Sequence, residues 1–452
     1  MFTLSETYRH KLSQALNLAW PIIIGQLGTV LMGFFDTIQV GALGSEYIAA
    51  SGFANNVYWL VNLLALGILF GVSPLVSEAF GEKNEWKAIG VFRSGIIVAA
   101  VLAILFSIGT WFFTEHIYLF KQDEIVNLPA QKYLRILNLS TVAMLMFSVC
   151  KQLFDGMGRT RVGMMVNLGG LLMNICLNWV LIYGNLGAPK LGIEGAAIAT
   201  SITRVSMMLF MFGYIAYDKQ IAYLRIAYIR LQTQGKTYIK QILAIGIPAG
   251  LQFFFEVAAF SITQMMSGWL GVMFLASHQI AIGLASITFM VLTGISSAGT
   301  IMTGYAYGAK DKEDARVAGN TIFMLTIALE IVFAIVFLAG HKLLPLLYTN
   351  DAELIKVTAT LLLFAAFFQI SDGLQSAAAG VLRGIQDVKI PSAIAFISYW
   401  LIMIPSSYYL GFHTSLGING LWLGFIIGLT VAAIALMWRF WWKVKRIEFE
   451  EL

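Results

Sequence analysis

Apolar residues along this chain gather into long stretches separated by short polar connections. Twelve can be marked, approximately at 15–40, 53–77, 92–114, 133–155, 162–184, 192–217, 241–268, 275–303, 316–339, 356–380, 391–411 and 418–442. Each is close to the ~20 residues that a helix needs to cross hydrocarbon. The pattern predicts an all-α membrane protein of twelve transmembrane helices. Polar residues inside these stretches are few and recur at helical spacing. The first stretch, WPIIIGQLGTVLMGFFDTIQVGALG from Trp20 to Gly44, carries Asp36, with Thr29 seven residues before and Gln39 three after on the same face. The seventh sets Glu256 on a face with Gln252, Thr263 and Ser267, and the tenth sets Asp372 with Gln369, Gln375 and Ser376. On the fifth, Asn167, Asn174 and Asn178 form one ridge, which Thr200, Thr203 and Arg204 of the sixth can face.

Composition agrees with the pattern and excludes other classes. Hydrophobic residues make up 59% and charged residues 12%, with a mean hydropathy of +0.79; soluble domains carry about one quarter charged residues. The connections leave no room for a soluble catalytic or nucleotide-binding domain. No Gly-rich phosphate loop appears, which argues against ATP as the energy source. Cys150 and Cys176 lie inside apolar stretches, where a reduced, packed thiol is the ordinary state, so neither a disulfide framework nor a metal cluster is expected. The N-terminus lacks the short apolar core and small-residue cleavage site of a removed signal peptide, and the first helix is expected to serve as an uncleaved anchor. Basic residues settle the expected orientation. The side holding the termini and alternate loops carries 22 of the 29 Lys and Arg residues, the other side six, and Arg204 lies within a helix. Both termini are expected in the cytoplasm. The net charge of +5 follows from this bias and implies no nucleic-acid partner.

Sliding the chain on itself until Pro21 falls on Pro248 also sets Gly41 on Gly268, Ala49 on Ala276, Gly67 on Gly294 and Gly81 on Gly308, without a gap. Further on, DGMGRTRVG at 155–163 matches RGIQDVKIP at 383–391, and LGIEG at 191–195 matches LGING at 416–420, at nearly the same offset. The chain reads as two diverged copies of a six-helix unit: an N-lobe at 1–217, a cytoplasmic linker at 218–240 and a C-lobe at 241–452. An even number of helices per copy makes the copies parallel, an arrangement that suggests alternating access to a site between lobes.

The sites carry the functional claim. An ionisable group in hydrocarbon costs several kcal/mol and is seldom kept without a partner or a water-filled cavity, so Asp36, Glu256 and Asp372 are the leading candidates. At 1.5 Å per residue, Glu256 lies roughly 20 Å and Asp372 roughly 13–15 Å from the cytoplasmic ends of their helices, within reach of one cavity. Asn167, Asn174, Asn178 and Thr200 suit either a polar site or interhelical hydrogen bonding. Glu330 has no polar neighbour on its own helix beyond Thr326 four residues before it, Glu78 and Asp155 sit at cytoplasmic ends where solvation or a salt bridge suffices, and Arg204 can pair with an acid or reach toward water. Desolvation favours the neutral form of a carboxyl, whereas water or a cation favours the charged form. Such groups can bind H+, or Na+ with amide oxygens, and attract a lipophilic organic cation in competition. That competition is the minimal chemistry of an antiporter. Met144, Met146, Met164, Met165, Met173, Met265 and Met266 with Phe253, Phe254 and Phe255 offer deformable and aromatic surface for flat cations, or plain packing.

The first-helix proline with an acid fifteen residues on and TxxxGxLG text after it, the seventh-helix Glu, the tenth-helix Asp in DGLQSAAAGVLRGIQDVKIP, and the LGIxG repeat together resemble the multidrug and toxic compound extrusion (MATE) family, in its NorM-like branch, over about residues 15–445. The resemblance implies a V-shaped pair of six-helix lobes and export of organic cations in exchange for Na+ or H+. It implies a C-lobe cation site at Glu256 and Asp372, with Na+ as a possible metal there, and an N-lobe network of Asp36, Asn174, Asn178 and Thr200. Phe368, one turn before Asp372, departs from the family's pattern by offering no side-chain oxygen. The reading is a monomeric, multi-pass antiporter of the cell inner membrane, with organic cations or drugs and lipid as partners and no cofactor beyond the coupling cation. The alternative is a flippase for lipid-linked saccharides, which would call for Arg and Lys in the cavity where this chain carries acids. A membrane-embedded enzyme would need clustered catalytic groups, and His10, His116, His278, His341 and His413 are scattered.

Overall fold

A computed structural model describes residues 6–120, 122–218 and 235–447, and all regular structure among them is helical. The helices are α1 (Glu6–Gly41), α2 (Ser45–Gly81), α3 (Glu85–Glu115), α4 (Glu124–Asn138 and Thr141–Gly156), α5 (Thr160–Tyr183), α6 (Gly192–Tyr217), α7 (Gly235–Leu270), α8 (Val272–Gly308), α9 (Lys312–Gly340), α10 (Ala352–Gly384), α11 (Lys389–Phe412) and α12 (Ile418–Lys445). Eleven are each long and apolar enough to cross a membrane, and the two halves of α4, bent by 49° at Leu139–Ser140, make a twelfth. The chain is thus a multi-pass membrane protein with the expected number of spans.

Several helices overrun their apolar stretches. α1 starts nine residues before its stretch, because a chain leaving hydrocarbon keeps its backbone hydrogen bonds by staying helical. An equal difference falls in α4, whose first half begins at Glu124 rather than near 133. That half, EIVNLPAQKYLRILN, is amphipathic: Ala130, Tyr133, Leu134 and Leu137 are buried while the polar residues face out, so mean hydropathy understates it. Two breaks interrupt other spans. α2 turns at Phe70–Gly71, and α11 winds as a π-helix over Ile397–Met403. The expected linker at 218–240 lies, for residues 219–234, outside the described residues, and Gly235 already begins α7.

The described residues divide into two compact units. One takes those of Met1–Ile23, Gly81–Lys83 and Leu251–Leu452; the other those of Ile24–Phe80 and Asn84–Gly250. The division falls inside α1 after Ile23 and inside α7 after Gly250, positions that the repeat pairs and that each stand two residues beyond a proline. Close packing explains it. In the second unit the start of α7 lies on α2, where a Cβ on Gly67 would come 2.5 Å from the Gly250 Cα. In the first unit the start of α1 lies on α8, where a Cβ on Gly294 would come 2.4 Å from the Ile23 Cγ1 and 3.2 Å from the Ala19 carbonyl. Ala19 and Ile23 match Gly246 and Gly250 in the repeat, so each copy makes the same contact with opposite partners.

The core of the second unit gathers Tyr58, Tyr133, Leu134, Leu137 and Ile182. The first unit is built around α10, which packs on α8, α9 and α12. One of its cores holds Phe368, Tyr399, Trp422 and Phe425, the other Leu292, Phe323, Val381 and Phe440. Large apolar side chains such as Ile104, Leu105, Ile108, Ile335 and Val336 remain exposed, as lipid-facing residues should. Each unit ties its turn between the fourth and fifth helices of its copy to the end of the sixth by an ion pair of reversed polarity. Arg159 reaches Asp218 at 2.5 Å, and Arg439 reaches Asp387, the repeat match of Arg159, at 2.6 Å.

Candidate functional site

Two polar clusters form, one in each unit. In the second unit α1, α5 and α6 converge on Asp36. Asn178 donates from Nδ2 to Asp36 Oδ1 at 2.5 Å and to Asn174 Oδ1 at 3.4 Å. Thr200 donates to Asp36 Oδ2 at 3.4 Å while accepting from Asn174 Nδ2 at 3.3 Å. The four side chains close a network, and each is buried. Spacing makes this possible: Asn174 and Asn178 are four apart on α5 and stack on one face, and Thr200 is carried at the matching height by α6.

The neighbours expected on these faces take other roles. Asn167 donates to the Gly25 carbonyl at 3.1 Å and Gln39 to that of Ile175 at 3.1 Å, so both join α1 to α5 rather than to Asp36. Thr29 and Thr203 turn back to carbonyls of their own helices. Arg204 is half-buried. It donates to Ser140 Oγ at 3.0 Å, lies 4.9 Å over the Tyr58 ring, and is within electrostatic reach of Asp36. Ser140 carried no sequence signal because it depends on where the α4 bend falls, and Tyr58 carried none because it comes from another helix, α2.

In the first unit α7 and α10 meet at Gln375. Its Nε2 donates to Glu256 Oε1 at 3.4 Å and to Asp372 Oδ1 at 3.3 Å, so one amide bridges the two carboxyls. Glu256 is 9% and Asp372 5% exposed, and Gln375 is buried. Thr263 and Ser267, on the Glu256 face, are satisfied by carbonyls of α7 itself. Gln369 accepts from the Thr288 hydroxyl of α8, and Ser376 contributes its carbonyl to Ser296 Oγ at 2.7 Å. Phe368 is fully packed, with its ring 5.6 Å from Trp422 and 6.2 Å from Phe425, and so belongs to the core rather than aiming at the acids. Tyr399, on the π-helical stretch of α11, is buried within electrostatic reach of Glu256 and Asp372. Arg383 lies at the end of α10 within electrostatic reach of Glu256.

Other expectations resolve individually. Glu78 pairs with Lys87 at 2.7 Å and Asp155 with Lys151 at 2.6 Å. Cys150 is buried, but Cys176 is exposed and not packed: it lies on the face of α5 opposite the Asn174–Asn178 ridge. Met266 packs in a core, whereas Met165 and Met265 are exposed and line no described core. Glu330, on α9, is fully buried. Among the described residues no three His, Cys, Asp or Glu side chains converge to hold a metal ion.

The chain is similar to known proteins along nearly its whole length. The MatE family model matches the chain twice, over 21–180 and 248–409, so its two matches start at the paired prolines Pro21 and Pro248. Multidrug resistance protein NorM of Vibrio cholerae serotype O1 is 32% identical over 452 residues, covering 98% of both chains. Multidrug resistance protein MdtK of Edwardsiella ictaluri is 32% identical over 444 residues, covering 97% of this chain and 96% of its own. Among solved structures, a MATE in the bent conformation superposes with a TM-score of 0.88 at 21% identity, covering 98% of both chains. An outward-facing multidrug resistance MATE family transporter of the MOP superfamily gives 0.86 at 22%, covering 98% of this chain and 99% of its own.

Proposed function

Since the chain belongs to the MatE family, we propose that it is a secondary active antiporter that exports organic cations or amphiphilic toxic compounds in exchange for Na+ or H+. It is a multidrug efflux transporter and not an enzyme, as its NorM and MdtK relatives are multidrug resistance proteins. The carrying observation is the Gln375 bridge, which holds Glu256 and Asp372 together inside an apolar unit. Two carboxyls sharing one amide in a low dielectric cannot both stay ionised without a cation, so an inorganic cation, a proton or an organic cation satisfies the same place. Exchange follows from that shared need. Glu256 and Asp372 bind the coupling cation or the drug in the C-lobe (241–452). Asp36, held by Asn174, Asn178 and Thr200, forms the corresponding charged group of the N-lobe (1–217). With Phe368 packed in the core, a Na+ ion at Glu256 and Asp372 draws its remaining oxygens from Gln375, backbone or water.

The chain works as a monomer in the cell inner membrane, with both termini cytoplasmic. The test is dye efflux from proteoliposomes under an imposed Na+ gradient and, separately, an imposed pH gradient, for wild type and Glu256→Gln. Efflux driven by one gradient and lost in the variant is expected and names the coupling ion. Absence of gradient-driven movement of any organic cation would reject the reading and direct the same vesicles to labelled lipid.

A further inference from the structure

Arg204 stands at the middle of α6, where an ionised side chain costs several kcal/mol unless it has a partner or water to face. Its setting supplies little compensation. Nη1 donates to Ser140 Oγ at 3.0 Å, and that hydroxyl already gives its own proton to the Leu137 carbonyl at 2.6 Å. The guanidinium carbon lies 4.9 Å over the Tyr58 ring, whose hydroxyl is 3.1 Å from that of Thr141. Both neighbours are neutral, and among the described residues Arg204 forms no ion pair. Asp36 is held instead by Asn178 and Thr200. At the offset of the LGIEG and LGING match, position 204 falls on Leu429, a core residue of the second copy, so the shared fold does not require a cation at this place.

We propose that Arg204 recognises an anionic group on the transported compound, so that the second unit selects amphiphiles carrying a carboxylate together with a cationic nitrogen. The inference rests on the efflux reading above and adds a second charge to the substrate. Placement supports it. Arg204 shares a face of α6 with Thr200, four residues before, and Met211, seven after, both buried, whereas Ile202, Val205 and Leu209 make the exposed face. The side chain is only half-buried, so its remaining N–H groups open inside the unit rather than on lipid. On α2, the exposed Asn55 stands one turn before Tyr58 and donates to Tyr133 Oη at 3.4 Å, which continues the polar face beside the guanidinium. Thr200 donates to Asp36 and precedes Arg204 by one turn, a rise of about 6 Å. Acid and guanidinium are thus spaced like the two charges of one small molecule, with the cationic nitrogen at Asp36 and the carboxylate at Arg204. The planar guanidinium fork fits a carboxylate in two parallel hydrogen bonds. As a brace between helices alone, a neutral amide would make the Ser140 bond without the cost of burying a charge.

The experiment measures binding of two dyes to purified protein in detergent by fluorescence anisotropy at neutral pH: rhodamine B, which carries a free carboxylate beside its cationic xanthene, and its ethyl ester, which is only cationic. Arg204→Gln keeps a donor for Ser140 and removes the charge. It should weaken binding of the acid about 10- to 100-fold, as loss of a charge-assisted contact implies, and leave the ester within about 2-fold of wild type, which also shows that the variant is folded. Arg204→Lys, which keeps the charge and loses the fork, should weaken the acid relative to the ester and decides the matter if Arg204→Gln aggregates. Equal loss of both dyes, or no loss of either, overturns the proposal, as does wild type that binds the ester and not the acid. An effect of Arg204→Gln that appears in chloride and disappears in sulfate medium assigns the guanidinium to a free anion and overturns it too. Failure of wild type to bind either dye counts against the efflux reading itself.

Discussion

Asp36 keeps its charge tolerable through two neutral donors, Asn178 and Thr200, and Asn174 in turn braces both of them. Asn178→Ala removes the shortest of these bonds and leaves a buried acceptor short of a donor, which should cost about 1–3 kcal/mol. Thermal unfolding of the purified protein in detergent measures it. Asp36→Asn keeps the shape and removes only the charge, so it should insert normally and lose gradient-driven efflux; full efflux at wild-type expression would remove Asp36 from the site. In the first unit Gln375→Leu deletes the donor shared by Glu256 and Asp372. Hydrogen bonds to charged groups contribute about 1.5–3 kcal/mol, so without this donor the cation-free, ionised pair is less stable and the apparent affinity for the coupling cation should rise about 10- to 100-fold. Cation dependence of efflux reads this directly. Asp36, Glu256 and Asp372 stood out in the sequence as candidates because a carboxyl inside an apolar run has few harmless explanations. Arg204 was not, because its partners Ser140 and Tyr58 come from other helices.

Among helices, the repeat places glycines where α2 meets α7 and where α8 meets α1, but the two contacts differ in what they can absorb. Gly67 faces the Gly250 backbone, whereas Gly294 chiefly faces the movable Ile23 side chain. Gly67→Ala should therefore cost about 1–3 kcal/mol by overpacking and Gly294→Ala less; the reverse order in thermal unfolding would contradict the contact. The turn ion pairs offer a second comparison. Arg439 and Asp387 are nearly buried, so Arg439→Ala leaves an uncompensated charge and should destabilise by about 3–5 kcal/mol. Lys132 and Glu194 are exposed, and Lys132→Ala should change stability little. Helix existence was readable from apolar length alone. The α4 bend was not, since Leu139 and Ser140 carry neither proline nor glycine and the bend is set by packing of the buried face of Glu124–Asn138.

For the whole molecule, charge bias predicts orientation. In a Cys176→Ser, Cys150→Ser background, the Lys190→Cys variant should react with a membrane-impermeant maleimide on intact cells and the Lys310→Cys variant only after permeabilisation. Swapped labelling would reverse the assigned topology. The two-copy plan was visible at whole-chain scale because prolines and glycines recur at a fixed offset, and the MatE match repeats at that same offset. Where the units divide was less visible: α1 and α7 are uninterrupted helices, yet each changes unit two residues beyond its proline.

By itself the sequence determined what depends on solvent and on period. Apolar length specifies the helices, basic residues predict their orientation, helical spacing puts Asn174 and Asn178 on one face, and buried acids mark the candidate site. The tertiary structure decided which groups meet across helices: Gln375 under both Glu256 and Asp372, Arg204 on Tyr58, Phe368 in an aromatic core, and Glu330 against Gly373. The physical reason is that hydropathy and spacing act along one helix. Hydrogen bonds between helices and close approaches at glycine depend on the rotation and height of two helices at once, which packing of the whole unit sets.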